Sequence, residues 1–158
     1  AAGGVTKPIL YRHFGDRDGL IGAIADRFSA GLIASVSGTL RASSHPRIVL
    51  DDTIDAYVRF LEQEPNLYRF LLQQPNARSE HSTPIGALVD AIAPQIAAIT
   101  REGLDRDGRD GTAALPWAYG IVGLVHQSTN WWLRDRTMPR DDFVRHLTDL
   151  LWDGLRPR

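Results

Sequence analysis

The sequence predicts an all-α fold of about eight helices, because apolar residues recur every three or four positions through most of the chain. No stretch alternates apolar and polar residues as a half-buried strand would. Proline, glycine and short polar clusters divide the periodic segments at helical lengths. The 158 residues are 43% hydrophobic and 23% charged, which is ordinary for a soluble globular chain of roughly one domain.

Two helices are predicted at the beginning of the chain. Gly3-Gly4-Val5 is typical of a turn, and Thr6 can cap a short helix that runs through Phe14. Asp16 can cap the next helix, which is expected to reach about Leu40. One face of that second helix carries an apolar stripe of Leu20, Ile24, Phe28 and Leu32.

Five more helices are predicted in the middle and at the end of the chain. Helices are expected over 47–63 and 66–73, separated by Glu64-Pro65, and over 84–104 after a polar loop. A long helix follows over 113–134 and a last one over 140–152. Two aspartates, Asp141 and Asp142, suit the positive N-terminus of the last helix, and Gly154 is a natural stop.

The most informative stretch is Gly4 to Phe14, with the sequence GVTKPILYRHF. It resembles the turn and recognition helix of the tetracycline-repressor (TetR) family, and the following DRDGL resembles the start of that family's fourth helix. Farther along, EPNLY, VGLV, WW and WDGL resemble parts of the family's regulatory domain more loosely. The resemblance implies a TetR-like helical bundle and a ligand-responsive transcriptional regulator, in its usual form a repressor.

Residues with cationic or hydrogen-bonding side chains are expected to face outward from this short helix. The net charge is −1 for the whole chain, but Lys7, Arg12 and Arg17 against Asp16 give three cations minus one anion, or +2, over residues 6–17. The DNA-binding candidates, expected to contact phosphates of an operator duplex, are Thr6, Lys7, Tyr11, His13 and Arg17. The alternative is an ordinary amphipathic helix pair with a surface tyrosine and histidine.

The resemblance also divides the chain into two parts. Residues 1–40 are expected to be a remnant of the helix-turn-helix domain with its connecting helix, and residues 41–158 the ligand-binding and dimerisation domain. Family members carry two bracing helices before the turn, so about 30 to 40 residues of the head are expected to be missing, and the helix-turn-helix incomplete. We therefore expect the intact protein to bind operator DNA and this chain to bind it weakly.

An aromatic-rich cavity is predicted in the second part, for a small apolar or aromatic effector. Its walls are expected near Tyr57, Phe60, Ile96 and Trp117. Two polar residues four positions apart on the long helix, His126 and Asn130, share one face and are the candidate anchors. The alternative is that these aromatic residues form a plain core.

The last two helices are predicted to form a homodimer interface, since family members pair through such helices and a symmetric dimer suits a palindromic operator. The candidate interface residues are two glycines that permit close approach and four apolar residues: Gly120, Gly123, Phe143, Leu147, Leu150 and Leu151. The alternative is that the apolar stripe only closes the core of its own subunit.

The sequence gives little support for other classes of protein. The chain has no cysteine, its five histidines lack metal-ligand spacing, and neither a phosphate loop nor a nucleophile elbow occurs. We therefore expect neither enzymatic activity nor a cofactor or metal. No apolar run of about 18 residues predicts a membrane span, and a cysteine-free chain is compatible with a cytoplasmic location. A helical adaptor without a ligand pocket remains the alternative to a regulator.

Overall fold

The computed structural model describes residues 17–42, 45–73 and 84–154, and every regular element in those ranges is helical. Six α-helices and one 3₁₀ turn follow in chain order: α1 (Arg17–Thr39), α2 (Pro46–Gln63), α3 (Pro65–Leu72), α4 (Pro84–Arg106), the turn Gly111–Ala113, α5 (Ala114–Asp135) and α6 (Arg140–Gly154). The predicted all-α class is confirmed, whereas six helices stand in these ranges instead of about eight. The short helix predicted over 6–14 lies outside the described residues.

The helix boundaries follow from local chemistry at the predicted breaks. Pro46 and Pro65 each begin a helix, because a first-turn residue has no intrahelical partner for the N–H that proline lacks. At the end of α4, Gly108 adopts φ +68°, and the Arg109 N–H donates to the Leu104 carbonyl at 2.8 Å. This glycine-terminated cap directs the chain into the 3₁₀ turn and α5.

The core is formed by the inward faces of all six helices. Helix α2 packs on α1 and α6, while α4 packs on α1 and α5. A main cluster of buried side chains joins these helices, and a second cluster of mostly small residues lets α4 and α5 approach closely. The second cluster consists of Ala93, Ala97, Leu104, Ala114, Ala118 and Val122.

Helix α6 is attached mainly to α2. Its Phe143 stacks on Trp132 of α5 at 5.1 Å between ring centroids, and the Thr148 hydroxyl donates to Asp51 of α2 at 2.9 Å. Arg140 reaches Asp55 of α2 at 3.1 Å. Most of the apolar stripe of α6 therefore packs into the core of its own chain, whereas Leu150 is exposed.

One segment of α1, Asp18–Thr39, is long and apolar enough to cross a membrane by length and composition alone. It is not an uninterrupted apolar run, because Asp26-Arg27 interrupts it, and the sequence pattern therefore predicts no span there. The mostly buried core helix of a soluble protein meets the same criterion, whereas 22% of the apolar window in α1 is buried. Phe28, Leu32 and Val36 are buried against the neighbouring helices.

Candidate functional site

An apolar cavity of about 530 Å³ lies among α1, α2, α4 and α5. Its walls are mainly branched aliphatic side chains spaced three or four residues apart, which places them on the inner face of each helix. Helix α1, the turn after it and α2 contribute Val36, Leu40, Val49, Leu50, Thr53, Ile54 and Tyr57, and helices α4 and α5 contribute Leu88, Ile92, Ile96, Ile99, Trp117, Ile121, Val122 and Val125. A void of this volume can hold a small organic molecule.

The charged lining residues are confined to one end of the cavity. They belong to the last turn of α4 and the loop after it: Glu102, Arg106, Asp107 and Arg109. The Arg109 guanidinium lies over the Trp117 ring, 5.5 Å from its centroid. Elsewhere in the lining, Ile54, Leu88 and Ile92 are almost completely buried. The cavity therefore has a polar rim and a deep apolar end.

A hydrogen-bonded cluster of four side chains lies directly behind the cavity wall. His126 Nδ1 is 3.0 Å from the Tyr57 hydroxyl and 3.1 Å from the Tyr68 hydroxyl. The Tyr68 hydroxyl donates to Asn130 Oδ1 at 2.9 Å, and Asn130 Nδ2 lies 3.1 Å from His126 Nε2. Only Tyr57 belongs to both the cluster and the cavity lining.

These contacts fix the protons of the cluster. The Asn130 amide nitrogen can only donate, so His126 Nε2 accepts and the neutral imidazole carries its proton on Nδ1. That proton is then directed toward the two phenol oxygens. Burial lowers the pKa of His126, which favours this neutral form.

Burial also keeps both phenols protonated. It raises the pKa of Tyr57 well above its ordinary value, and the neighbouring Tyr68 raises it further. Burial raises the pKa of Tyr68 to about 12, although its hydrogen bonds with Tyr57 and Asn130 act in the opposite direction. The cluster is thus uncharged at neutral pH.

The structure brings together three of the six predicted ligand-binding residues and separates the others. Tyr57, Ile96 and Trp117 line the cavity, whereas His126 and Asn130 stand one layer behind it, bonded to the tyrosines. Phe60 points elsewhere: its ring packs edge-on against Phe28 of α1 at 5.2 Å between centroids. That contact explains why Phe60 is absent from the lining.

Sequence reasoning missed several wall residues. Thr53 precedes Tyr57 by one helical turn, and Ile92 and Ile99 flank Ile96 at helical spacing on α4. Each signal is present in the pattern, but aliphatic residues at such spacing are also what a solid core requires. Trp152 joins the lining from α6, whose sequence pattern predicts a dimer interface or a closed core but no part in a cavity.

The predicted DNA-binding residues Thr6, Lys7, Tyr11 and His13 lie outside the described residues. Arg17 is the first residue of α1, and its side chain also lies outside the described part of the structure. Their assignment to DNA stays a prediction.

The predicted dimer residues fall into two groups. Phe143, Leu147 and Leu151 are buried in the core of the single chain, with exposed fractions of 3%, 7% and 8%. Most of their surface faces other helices of their own chain, and their part in a dimer interface stays a prediction. Gly120, Gly123 and Leu150 are exposed and stay available for an interface.

A wider exposed face surrounds the two glycines on α5. A Cβ atom added at either Gly120 or Gly123 would meet nothing within 4 Å. Tyr119 and Trp131 are also exposed on this helix, at 48% and 38%. We call Tyr119, Gly120, Gly123 and Trp131 the outer face of α5.

The described ranges contain no group of three or more histidine or carboxylate side chains that could hold a metal ion. Their chemistry is that of a binding cavity with uncharged hydrogen-bonding groups nearby.

Comparison with known proteins assigns the larger part of the chain. Residues 35–157 match the family model described as tetracyclin repressor-like, C-terminal domain. An uncharacterized HTH-type transcriptional regulator of Mycobacterium tuberculosis (strain ATCC 25618 / H37Rv) is 33% identical, over 96% of this chain and 64% of that protein. The HTH-type transcriptional activator FasR of Mycolicibacterium smegmatis is 28% identical, over 96% of this chain and 69% of FasR. The chain thus spans about two thirds of the length of these relatives.

Solved structures share the fold. The TetR family transcriptional regulator PfmR from Thermus thermophilus superposes with a TM-score of 0.75 at 22% identity, over 96% of this chain and 84% of that one. A protein of unknown function from Rhodococcus sp. RHA1 gives a TM-score of 0.62 at 23% identity, over 98% and 80% of the two chains.

Proposed function

The chain belongs to the tetracycline-repressor family of transcriptional regulators, and from that premise we propose that a small apolar or aromatic ligand binds its cavity and controls operator binding by a homodimer. This family consists of regulators that are not enzymes. The observation that carries the proposal is the cavity of about 530 Å³ inside the regulatory bundle. A solid helical core of the kind that an adaptor needs would not leave such a space.

The position of the cavity supports a role in regulation. Its wall includes Val36 of α1 and Leu40 directly after it, and α1 is the helix that follows the predicted recognition helix in sequence. A ligand that prefers one placement of α1 over another would shift the population of DNA-binding geometries. Only such a difference in affinity between the two states produces control.

The boundaries of the proposal follow the division predicted from sequence. Residues 1–40 are assigned to the DNA-binding side and residues 41–158 to ligand binding and dimerisation, with α1 linking the two. Tyr57, Ile96 and Trp117 are proposed to contact the ligand, and His126 and Asn130 to hold Tyr57 in place. The family resemblance implies that the protein represses transcription, although the relative FasR is named an activator.

The ligand proposal is tested by filling the cavity. Ile96→Trp places a large ring in the void, so binding of the neutral apolar dye Nile red should weaken at least about tenfold, or about 1.4 kcal/mol. Dye fluorescence measures binding, and thermal unfolding checks that the variant is folded. Ala98→Trp is the matched control, because Ala98 lies on the exposed side of the same helix.

The two variants separate the possible outcomes. Loss of dye binding in Ile96→Trp with normal binding in Ala98→Trp places the dye in the cavity. Equal affinity of the wild-type chain and Ile96→Trp, or no dye binding by the wild-type chain, would contradict the proposed ligand site.

A further inference from the structure

We propose that the cavity recognises an uncharged ligand through a hydrogen-bond donor on that ligand, which the hydroxyl oxygen of Thr53 accepts. This inference rests on the proposed function and names the chemistry of the ligand. It follows from the placement of charges around the cavity and from the direction of two hydrogen bonds in its wall.

The charges at the rim offer no net attraction to an ionised ligand. Glu102 and Asp107 oppose Arg106 and Arg109, two charges of each sign, and Arg109 also lies over the Trp117 ring. The remaining wall residues are uncharged. A ligand charge carried into the aliphatic part would lose its hydration without gaining a counterion, which is strongly unfavourable. The walls therefore favour an uncharged molecule.

The hydrogen bonds of Thr53 fix what its hydroxyl can still do. The Thr39 hydroxyl donates to the Val36 carbonyl at 2.8 Å, and a hydroxyl has one proton. The contact of 2.8 Å between the Thr39 and Thr53 hydroxyl oxygens must then be donated by Thr53. Thr53 has no proton left for a ligand, and its oxygen keeps a free lone pair. At this place in the wall, only a ligand that carries an O–H or N–H group gains a hydrogen bond.

The other polar groups in the wall differ from Thr53. Tyr57 lies one turn farther along the same face of α2, but its hydroxyl is turned toward His126, which does not line the cavity. The Trp117 indole can only donate. Thr100 lines the opposite wall from α4. Its hydroxyl supplies the comparison that shows whether position 53 is the acceptor.

The test measures two related probes by calorimetric titration of the whole chain. The probes are 1-naphthol, which has a hydroxyl donor, and 1-methoxynaphthalene, which has only an acceptor. Thr53→Val keeps the shape of the side chain and removes its oxygen, so 1-naphthol should bind roughly two- to tenfold more weakly, while 1-methoxynaphthalene binds as before. Thr53→Ser, which keeps the hydroxyl, should retain wild-type affinity for the two probes, and so should Thr137→Val, which removes an exposed hydroxyl outside the cavity lining.

Each other outcome overturns the inference. If Thr53→Val weakens both probes equally, or neither, the oxygen is not a selective acceptor. A selective loss in Thr100→Val instead would assign the acceptor to α4. If Nile red binds the cavity and neither naphthalene probe does, the donor inference fails while the proposed ligand site stands. If Nile red also fails to bind, the proposed function fails first.

Discussion

At the scale of single residues, His126 organises the polar cluster behind the cavity. It joins Tyr57 of α2, Tyr68 of α3 and Asn130 of α5, so three helices meet at one imidazole. The Tyr68 ring also stacks near Phe28 of α1, 6.1 Å between centroids. A displacement of the Tyr57 side chain can therefore be transmitted through this cluster to α1, the helix that follows the predicted DNA-binding motif.

The lowered pKa of His126 predicts how stability depends on pH. An unfolded histidine titrates near pH 6.5, whereas burial keeps His126 neutral in the folded chain to a lower pH. The unfolded state then binds the extra proton, and the free energy of unfolding decreases as the pH falls below about 6.5. The slope should reach up to about 1.4 kcal/mol per pH unit until the folded-state pKa is passed. Urea unfolding at pH 7.5, 6.5 and 5.5 measures it.

A matched pair of variants isolates this contribution. His126→Gln should be less stable at every pH, but its stability should fall less steeply between pH 6.5 and 5.5. His146→Gln removes an exposed imidazole on α6 and should keep the wild-type slope. An unchanged slope in His126→Gln would contradict the assignment.

The sequence could indicate only part of this cluster. The spacing of His126 and Asn130 predicts correctly that they share one face of a helix. Their partners Tyr57 and Tyr68 come from helices 69 and 58 residues away, and helical periodicity carries no information about which distant face lies opposite. The anchors were therefore predicted inside the cavity, while the fold places them behind a tyrosine.

At the scale of helices, the same limit applies to α6. Its stripe of Phe143, Leu147 and Leu151 is apolar in the sequence, but a stripe does not say whether its own chain or a second subunit covers it. Here the turn after α5 folds it onto α2. Arg136 ends α5 in a left-handed conformation, and the Trp132 indole donates to the Met138 carbonyl at 2.9 Å.

The outer face of α5 leads to a prediction about assembly. Gly123→Leu should raise the stability of the single subunit by roughly 0.8 kcal/mol, since glycine is a poor helix former and no neighbour obstructs a side chain there. If a second subunit packs closely at this glycine, the same change should shift a dimer toward monomer. Sedimentation equilibrium measures the assembly, and thermal unfolding measures the stability.

The control for this experiment is Gly38→Leu. Gly38 is also helical and unobstructed, but it lies on α1, away from the proposed interface. It should leave the assembly unchanged. A wild-type chain that sediments as a monomer, or a dimer unaffected by Gly123→Leu, would argue against an interface on the outer face of α5.

At the scale of the whole molecule, most of the architecture was predictable. The boundaries of α2 and α3 follow from prolines, and those of α4 and α5 from a glycine-containing charged loop, because these residues act through local backbone chemistry. The presence of an empty volume was harder to predict, because Ile92, Ile96 and Ile99 would have the same spacing in a solid core. The volume of the void depends on the distances between the four packed helices.

The last prediction concerns DNA. A protein with the length of the relatives should bind an operator duplex, and Lys7→Ala should weaken its binding to all sequences. Loss of one phosphate contact should reduce the slope of log affinity against log salt by about 0.9. Gel-shift titrations at several salt concentrations measure both effects.

A matched variant completes the DNA experiment. Lys7→Arg keeps the charge and should keep the salt slope. A slope that is unchanged in Lys7→Ala would remove Lys7 from the phosphate contacts.

The contact of Phe60 with α1 also constrains how this sequence can diverge. A methyl group added at Gly31 would lie 3.0 Å from Phe60 Cζ, tighter than nearly all real contacts. An alanine at position 31 thus requires the ring to retreat or a smaller residue at position 60. The two positions should covary among related proteins. Glycine at position 31 should occur with an aromatic residue at position 60, and a larger residue at position 31 with an aliphatic one at position 60. Such covariation would mean that the spacing between α1 and α2 is set by this pair of residues together and not by either residue alone.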